Sequence, residues 1–346
     1  MEPEILFSRI SGIGRVLLNR PKALNALTHQ MCDALETRLR AWAADETVKA
    51  VVIRGAGERA FCAGGDIRRL YDAGKTGDDY PYRFWADEYR LDALIKHYAK
   101  PYLALLDGIT MGGGVGMSVH GSHRLVTEHA LFAMPETGIG LFPDVGGSYF
   151  LPRCPGRIGL YLGLTGERLR AADLLYSGIA THYVPRARLD ALEEALAAAP
   201  GEVDAVLARF AGDPGPATLA GQRDEIDRLF AGSSLDTVLA DLAAEGSTFS
   251  RRALDMLATK SPTALRLTFR QLQEGARLGF DDCMRMEWRM VSHVPRHMPD
   301  FYEGVRAAII DKDNRPQWSP PRLADVDEAM IDRFFAAAPK GELALY

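Results

Sequence analysis

MPETGIGLFPDVGG, residues 134–147, sets two carboxylates, Glu136 and Asp144, in a run otherwise made of apolar residues, threonine, glycine and proline. A buried anion loses several kcal/mol of hydration or takes up a proton instead. Either both acids reach water from a loop or cap a helix, as most acids do, or both are held in a site that needs them. The segments on either side bear on that choice.

Upstream, strands, glycine-rich loops and helices alternate. Residues 4–10 and 14–18 read as short strands around a Ser-Gly-Ile-Gly turn. Thr28 suits the N-cap of a helix near 29–44, whose Met31, Leu35, Leu39 and Trp42 share one face. VKAVVIRG (48–55) reads as a buried strand, AFCAGGD (60–66) as a glycine-rich turn, and a helix follows from about Asp66. FWADEYRLDALIKHYA (84–99) predicts a second helix. KPYLALLDGIT (100–110) predicts a strand that ends in the glycine cluster MGGGVGM (111–117), with a helix after it. Short strands are expected at 124–127 and 131–134. After about residue 185 strand signals fade and Ala/Leu/charge-rich helical segments take over, such as RARLDALEEALAAAP (186–200). The pattern predicts an α/β core over 1–185 and a helical region over 186–346.

With 346 residues the chain is long enough for a substantial core, and its 47% hydrophobic and 25% charged residues are ordinary for a globular protein. A net charge of −5 argues against nucleic acid or an anionic membrane as the main partner, although a local basic patch for a phosphate-bearing ligand remains compatible. No apolar run approaches the roughly 20 residues that span a bilayer. Cys32, Cys62, Cys154 and Cys283 form no CxxC pair and read as reduced thiols. Together with an acidic start, MEPEILFSRI, that lacks the pattern of a signal or transit peptide, they lead us to expect a cytoplasmic protein.

The glycine clusters satisfy neither G-x-G-x-x-G nor the P-loop pattern. Both sit where a strand passes into a helix, so each can bring a backbone N–H close to a ligand with the helix dipole behind it. Two such loops could donate to one carbonyl oxygen, forming an oxyanion hole; tight backbone packing explains either loop alone. GMSVH (116–120) lacks the final glycine of a nucleophile elbow, and HVPRH (293–297) lacks the glutamate of a zincin helix. His120 and His123 fall near a helix end, where the dipole favours histidine.

NRPKALNAL (19–27), AFCAGGDI (60–67), KPYLALLDGITMGGGVGMSVHG (100–121) and MPETGIGLFPDVGGSYFLPR (134–153) together resemble the crotonase (enoyl-CoA hydratase/isomerase) superfamily. Within it they resemble the branch that hydrolyses short β-hydroxyacyl-CoA thioesters. The likeness continues through LTGERL (164–169), SGIATHYV (177–184) and DFYEGVRAAIIDKDNRPQW (300–318), so it covers almost the whole chain. It implies a spiral of β-β-α units with a helical C-terminal region. It also implies an acyl-CoA substrate that carries the coenzyme A itself, no metal or further cofactor, no nucleic-acid or membrane partner, and a homo-oligomer, trimers being common.

Residue by residue, the resemblance assigns the oxyanion hole to Gly65 and Gly113, the catalytic carboxylate to Glu136, and the acid characteristic of the hydrolases to Asp144. Glu88 matches a substrate-contacting glutamate. Lys22, Ala23, Leu24, Ala63, Asp66 and Ile67 match positions along the coenzyme A moiety. Hydratases of the superfamily place a second glutamate where this chain has Gly116, and hydration needs an acid and a base around the added water. The resemblance therefore points to hydrolysis of 3-hydroxyisobutyryl-CoA, a step of valine breakdown. Glu136 would act there as nucleophile or as general base, and Asp144 would hold the substrate hydroxyl or water. Isomerase or hydratase chemistry and a non-catalytic role in binding CoA or RNA are the alternatives.

Overall fold

The computed structural model describes residues 2–346. Strands β1 (Ile5–Ile10) and β2 (Ile13–Leu18) form an antiparallel hairpin, and Thr28 caps α1 (His29–Ala44) by accepting the Met31 amide at 3.3 Å. Such a cap stabilises a helix by about 1 kcal/mol. As the spacing predicts, Met31, Leu35, Leu39 and Trp42 are the buried face of α1.

Three repeats of one unit then build the core. The first is β3 (Ala50–Gly55) and β4 (Ala60–Cys62), followed by α2 (Ile67–Thr76) and α3 (Tyr80–Lys96). The second is β5 (Tyr102–Leu106), β6 (Ile109–Met111) and α4 (Gly113–Val119). The third is β7 (His123–Val126) and β8 (Leu131–Ala133), then a 3₁₀ turn over Glu136–Ile139 and a short α5 (Gly147–Phe150). In each unit the first strand joins one sheet, ordered β1-β2-β3-β5-β7-β9 with β9 at His182–Tyr183. The second strand joins a smaller parallel sheet, β4-β6-β8. Each turn of the chain thus advances one strand in both sheets, which is the β-β-α spiral expected from the resemblance.

The central strands β3 and β5 of the large sheet are buried on both faces, and the side chains divide accordingly. Val51, Ile53, Ala104, Leu106 and Val126 point into the main core. Ala50, Val52, Leu103, Leu105 and Leu125 point to the other face, where Leu189, Leu192, Leu196, Val206 and Leu207 of two outer helices cover them. The helical residues also continue the main core: Phe280, Met284, Met290, Val291 and Val294 of the helix Phe280–His297 belong to the same cluster as Tyr89 and Leu91 of α3.

Two segments differ from the sequence reading. AFCAGGD is not all turn, because Ala60–Cys62 is the first strand of the small sheet. KPYLALLDGIT is not one strand but two, β5 and β6, in different sheets, divided at Asp107–Gly108. An unbroken apolar run carries no mark of a change of sheet. The break is made by Gly108, whose φ of 97° and close approach to the Arg59 carbonyl tolerate no side chain.

Candidate active site

The C-terminal ends of the three small-sheet strands carry the three site segments. β4 runs into Gly64-Gly65, β6 into Gly112-Gly113, and β8 into Met134-Pro135-Glu136. Because Thr110 pairs with both Cys62 and Phe132, these segments leave the sheet side by side. The rim beyond the carboxyl ends of parallel strands is where α/β folds generally place ligands.

Gly64 (φ 119°) and Gly112 (φ 47°, ψ −125°) adopt backbone angles that side chains resist, and they turn the following amides toward each other. A Cβ built on Gly113 would lie 3.5 Å from the Gly65 nitrogen. Gly113 opens α4 and so has no intrahelical acceptor for its N–H, and the Gly65 N–H makes no backbone bond among the described residues. Two free donors converge, as an oxyanion hole requires.

Both amides open onto a cavity of about 190 Å³ that Glu88, Glu136 and Asp144 also line. Its apolar wall includes Leu70, Phe84, Trp85, Leu141 and Ile309. That volume is below the roughly 300–1,000 Å³ typical of drug-sized ligands, so it accommodates a short acyl group and not a whole coenzyme.

The three acids are almost wholly withdrawn from water, at 3% (Glu88), 4% (Glu136) and 5% (Asp144) exposure. Neither Glu136 nor Asp144 is a solvated loop residue. They differ in support. Tyr89 donates its hydroxyl to Asp144 Oδ2 at 2.9 Å, whereas Glu136 Oε2 has no partner among the described residues. Burial raises the Asp144 carboxyl to about 6, and the Tyr89 bond limits the rise. Glu136 is pushed well above the usual carboxylate range, first by burial and then by Asp144. Glu88 is raised in the same way, by burial, then Asp144, then Glu136. Burial thus biases all three carboxyls toward the protonated form relative to exposed acids, and Asp144, to which Tyr89 donates, is raised less than its two neighbours.

Several of the groups that shape the site were not legible in the sequence. Glu287 accepts the Gly146 amide at 2.7 Å, the Ser148 amide at 2.8 Å and the Ser148 hydroxyl, which fixes the chain just beyond Asp144. No local signal connects positions so far apart. His120 holds the same loop, with its Nε2 2.8 Å from the Val145 carbonyl. Burial lowers its pKa to about 3, so it is neutral and is no cation serving the dipole of α4, the role expected for it.

Asp92 had a local signal. It lies one turn after Glu88, on the same face of α3. A Cβ on Gly113 would collide with Glu88 Oε1, and a Cβ on Gly116, one turn further along α4, would lie 2.6 and 2.8 Å from the Asp92 carboxyl oxygens. Two glycines of α4 thus make room for two acids of α3. Gly116 is not an open vacancy awaiting a glutamate, because Asp92 fills the space.

Of the positions expected along coenzyme A, Ala63 and Ile67 line the cavity, and Leu24 is tied to it by its carbonyl, which accepts the Ala63 amide at 3.0 Å. Lys22 and Ala23 lie on an exposed 3₁₀ turn, and Asp66 pairs with Arg20 at 3.2 Å outside the cavity wall. The grouping of side chains able to hold a metal among the described residues is His29, Asp33 and Asp87, where His29 lies 2.5 Å from Asp87; His293 and His297 are not part of it.

The chain that folds into this spiral, with its facing amides and acid-lined cavity, belongs to the enoyl-CoA hydratase/isomerase family, whose profile matches residues 13–335. It is 46% identical to the mitochondrial 3-hydroxyisobutyryl-CoA hydrolase of Danio rerio over 99% of this chain and 92% of that protein. To the human protein of that name it is 41% identical, over 98% of this chain and 90% of the relative. Among solved structures it is similar to a carnitinyl-CoA dehydratase from Mycobacterium thermoresistibile (TM-score 0.95, 42% identity, 99% of each chain). It is also similar to an enoyl-CoA hydratase from Rhodobacter sphaeroides 2.4.1 (TM-score 0.92, 40% identity, 99% of this chain and 100% of the other). The relatives overturn the cytoplasmic setting expected above, since the hydrolases of fish and human are both named as mitochondrial. The thiols behind that expectation are indeed all free and buried, but free thiols report redox conditions and not an address. No helix among the described residues is long and apolar enough to cross a membrane.

Proposed function

We propose that this chain is an acyl-CoA thioester hydrolase that converts 3-hydroxyisobutyryl-CoA to 3-hydroxyisobutyrate and CoA. The observation that carries the reading is one short-acyl cavity holding two free amides, the unpartnered oxygen of Glu136, and Asp144. The Gly65 and Gly113 amides take the thioester oxygen as it becomes an oxyanion; losing one such donor typically costs about 10²–10³ in rate. Glu136, once ionised, attacks the carbonyl carbon or takes a proton from the attacking water. The C–S bond breaks as the new C–O bond forms, and the CoA thiolate takes up a proton, which in the general-base route is the one Glu136 took from water. In the nucleophilic route the acyl group is first bonded to Glu136 as a mixed anhydride, which water then cleaves to release the free acid and regenerate Glu136. Asp144, ionised and held by Tyr89, accepts a hydrogen bond from the substrate hydroxyl. Glu88 contacts the acyl group from α3, and the coenzyme extends past Ala63 and Ile67 toward Leu24.

Hydration by two acids is disfavoured by Gly116, whose side-chain space Asp92 occupies. The deciding assay offers 3-hydroxyisobutyryl-CoA, isobutyryl-CoA, crotonyl-CoA and methacrylyl-CoA and follows free thiol and enoyl absorbance together. Release of CoA from the 3-hydroxy substrate is expected. Enoyl hydration faster than any thiol release would replace this reading with a hydratase.

A further inference from the structure

A second cavity, of about 350 Å³, lies at the opposite ends of α3 and α4 from the acyl site and shares no lining residue with it. Four cations line it, Lys96, Lys100, Arg124 and Arg153, and no aspartate or glutamate does. Among the described residues none of the four has a carboxylate partner. Arg124 donates to the carbonyls of Ile179 and Gly121 at 3.0 Å and of Gly178 at 3.2 Å. Arg153 donates to Tyr149 O at 2.7 Å and Leu278 O at 2.8 Å, and Lys100 to Trp42 O at 2.5 Å and Asp45 O at 2.7 Å. Lys96 has no oxygen partner among the described residues; its ammonium sits 4.9 Å from the centroid of the Tyr149 ring.

This arrangement is unusual for a protein of net charge −5. Arg153 is exposed, but Lys96, Lys100 and Arg124 are partly withdrawn from water, and cations so placed are ordinarily paired, because withdrawing charge from water is costly. Carbonyls hold the two guanidinium groups in place but supply no countercharge. With Ser122 O also accepting at 3.5 Å, Arg124 keeps one donor, on Nη2, while Arg153, with Gly275 O accepting at 3.3 Å, keeps its Nε donor and one on Nη2. Burial alone pulls the Arg124 guanidinium below its ordinary value, with no acid offsetting it. The Tyr98, Tyr149 and Phe150 side chains on the wall offer flat apolar surface beside the charges.

We propose that this cavity is a binding site for a small phosphate dianion, free or as a monoester. A phosphate has the oxygens to take several of these donors at once, and arginine forks match its geometry. The aromatic wall suits the organic part of a monoester.

Calorimetric titration of the full-length protein with inorganic phosphate and, separately, with adenosine 5′-monophosphate tests this. CoA is present at one equivalent per chain, so that the phosphate contacts of the substrate site are filled while little free CoA, itself a phosphate monoester, is left to compete with the probes. At least one probe is expected to bind saturably, one per chain, with Kd of about 1 mM or tighter at low ionic strength. The tighter probe identifies whether the ligand is free phosphate or a monoester. Lys96→Gln with Arg153→Gln should weaken it by about tenfold or more while kcat/KM for the thioester stays at the wild-type value. Lys96→Glu alone, which removes no hydrogen bond, keeps the test valid if the double variant folds poorly, and should also abolish binding. Failure of both probes to saturate, or unchanged affinity in the Lys96 variants, would overturn the proposal.

Discussion

Gly116→Ala puts the contact between α3 and α4 to a direct test. By helix propensity alone, alanine in place of a helical glycine stabilises by about 0.5–1 kcal/mol. Here the added Cβ would lie 2.6 and 2.8 Å from the two oxygens of Asp92, closer than real Cβ contacts come. Asp92 is 0% exposed, and neither of its oxygens has a partner among the described residues, so no solvated position is open to it. Overpacking of a filled interior costs about 1–3 kcal/mol. The net expectation is a loss of about 0–2.5 kcal/mol against a total stability of about 5–15 kcal/mol. Asp92→Ala removes both the obstacle and an unpaired buried acid, whose desolvation itself costs about 1–3 kcal/mol. In that background Gly116→Ala should be neutral or stabilising, giving a coupling of about 1–3 kcal/mol in the double-mutant cycle. Equilibrium urea unfolding of the four proteins, with unchanged slopes, measures it. If Gly116→Ala stabilises the otherwise wild-type protein, or costs the same with and without Asp92, the crowding argument is wrong.

Glu136→Gln, nearly isosteric, should lower kcat for thiol release by about 10²–10⁴ with CoA affinity kept; a tenth of wild-type kcat or more would remove Glu136 from the mechanism. Because Glu136 must lose a proton to act, kcat/KM should rise with pH through an apparent pKa above the ordinary carboxylate range. Repulsion from Asp144 helps raise the Glu136 pKa, so Asp144→Asn should move that rising limb to lower pH, and a shift to higher pH would contradict repulsion between the two carboxyls. Asp144→Gly should impair 3-hydroxyisobutyryl-CoA more than isobutyryl-CoA, as expected when a site loses its partner for a substrate hydroxyl; equal losses would assign Asp144 to water. Gly113→Ala should lower kcat without abolishing folding if Glu88 can give way, because the new Cβ sits 3.5 Å from the Gly65 amide and crowds the oxyanion hole.

The linear sequence by itself determined the local elements and the chemical inventory. Thr28 with its helical stripe, the β-branched run of β3, and the glycines after β4 and β6 act within a few residues, so their roles can be read from spacing and backbone preference. The ordered motifs likewise pointed to Gly65, Gly113, Glu88, Glu136 and Asp144, and all five line one cavity. What only the tertiary structure decided is which groups share a space. The switch of sheet at Asp107–Gly108 left no mark in an apolar run, because a strand buried in either sheet uses the same residues. Gly116 read as an absent acid, yet the object in that place is Asp92 from another helix. Glu287 fixes the loop beyond Asp144 from a helix far along the chain. The raised pKa values of the three site acids follow from their common burial and, for Glu88 and Glu136, from repulsion by neighbouring carboxylates. Those are properties of distance and dielectric that no stretch of sequence contains until the spiral closes around it.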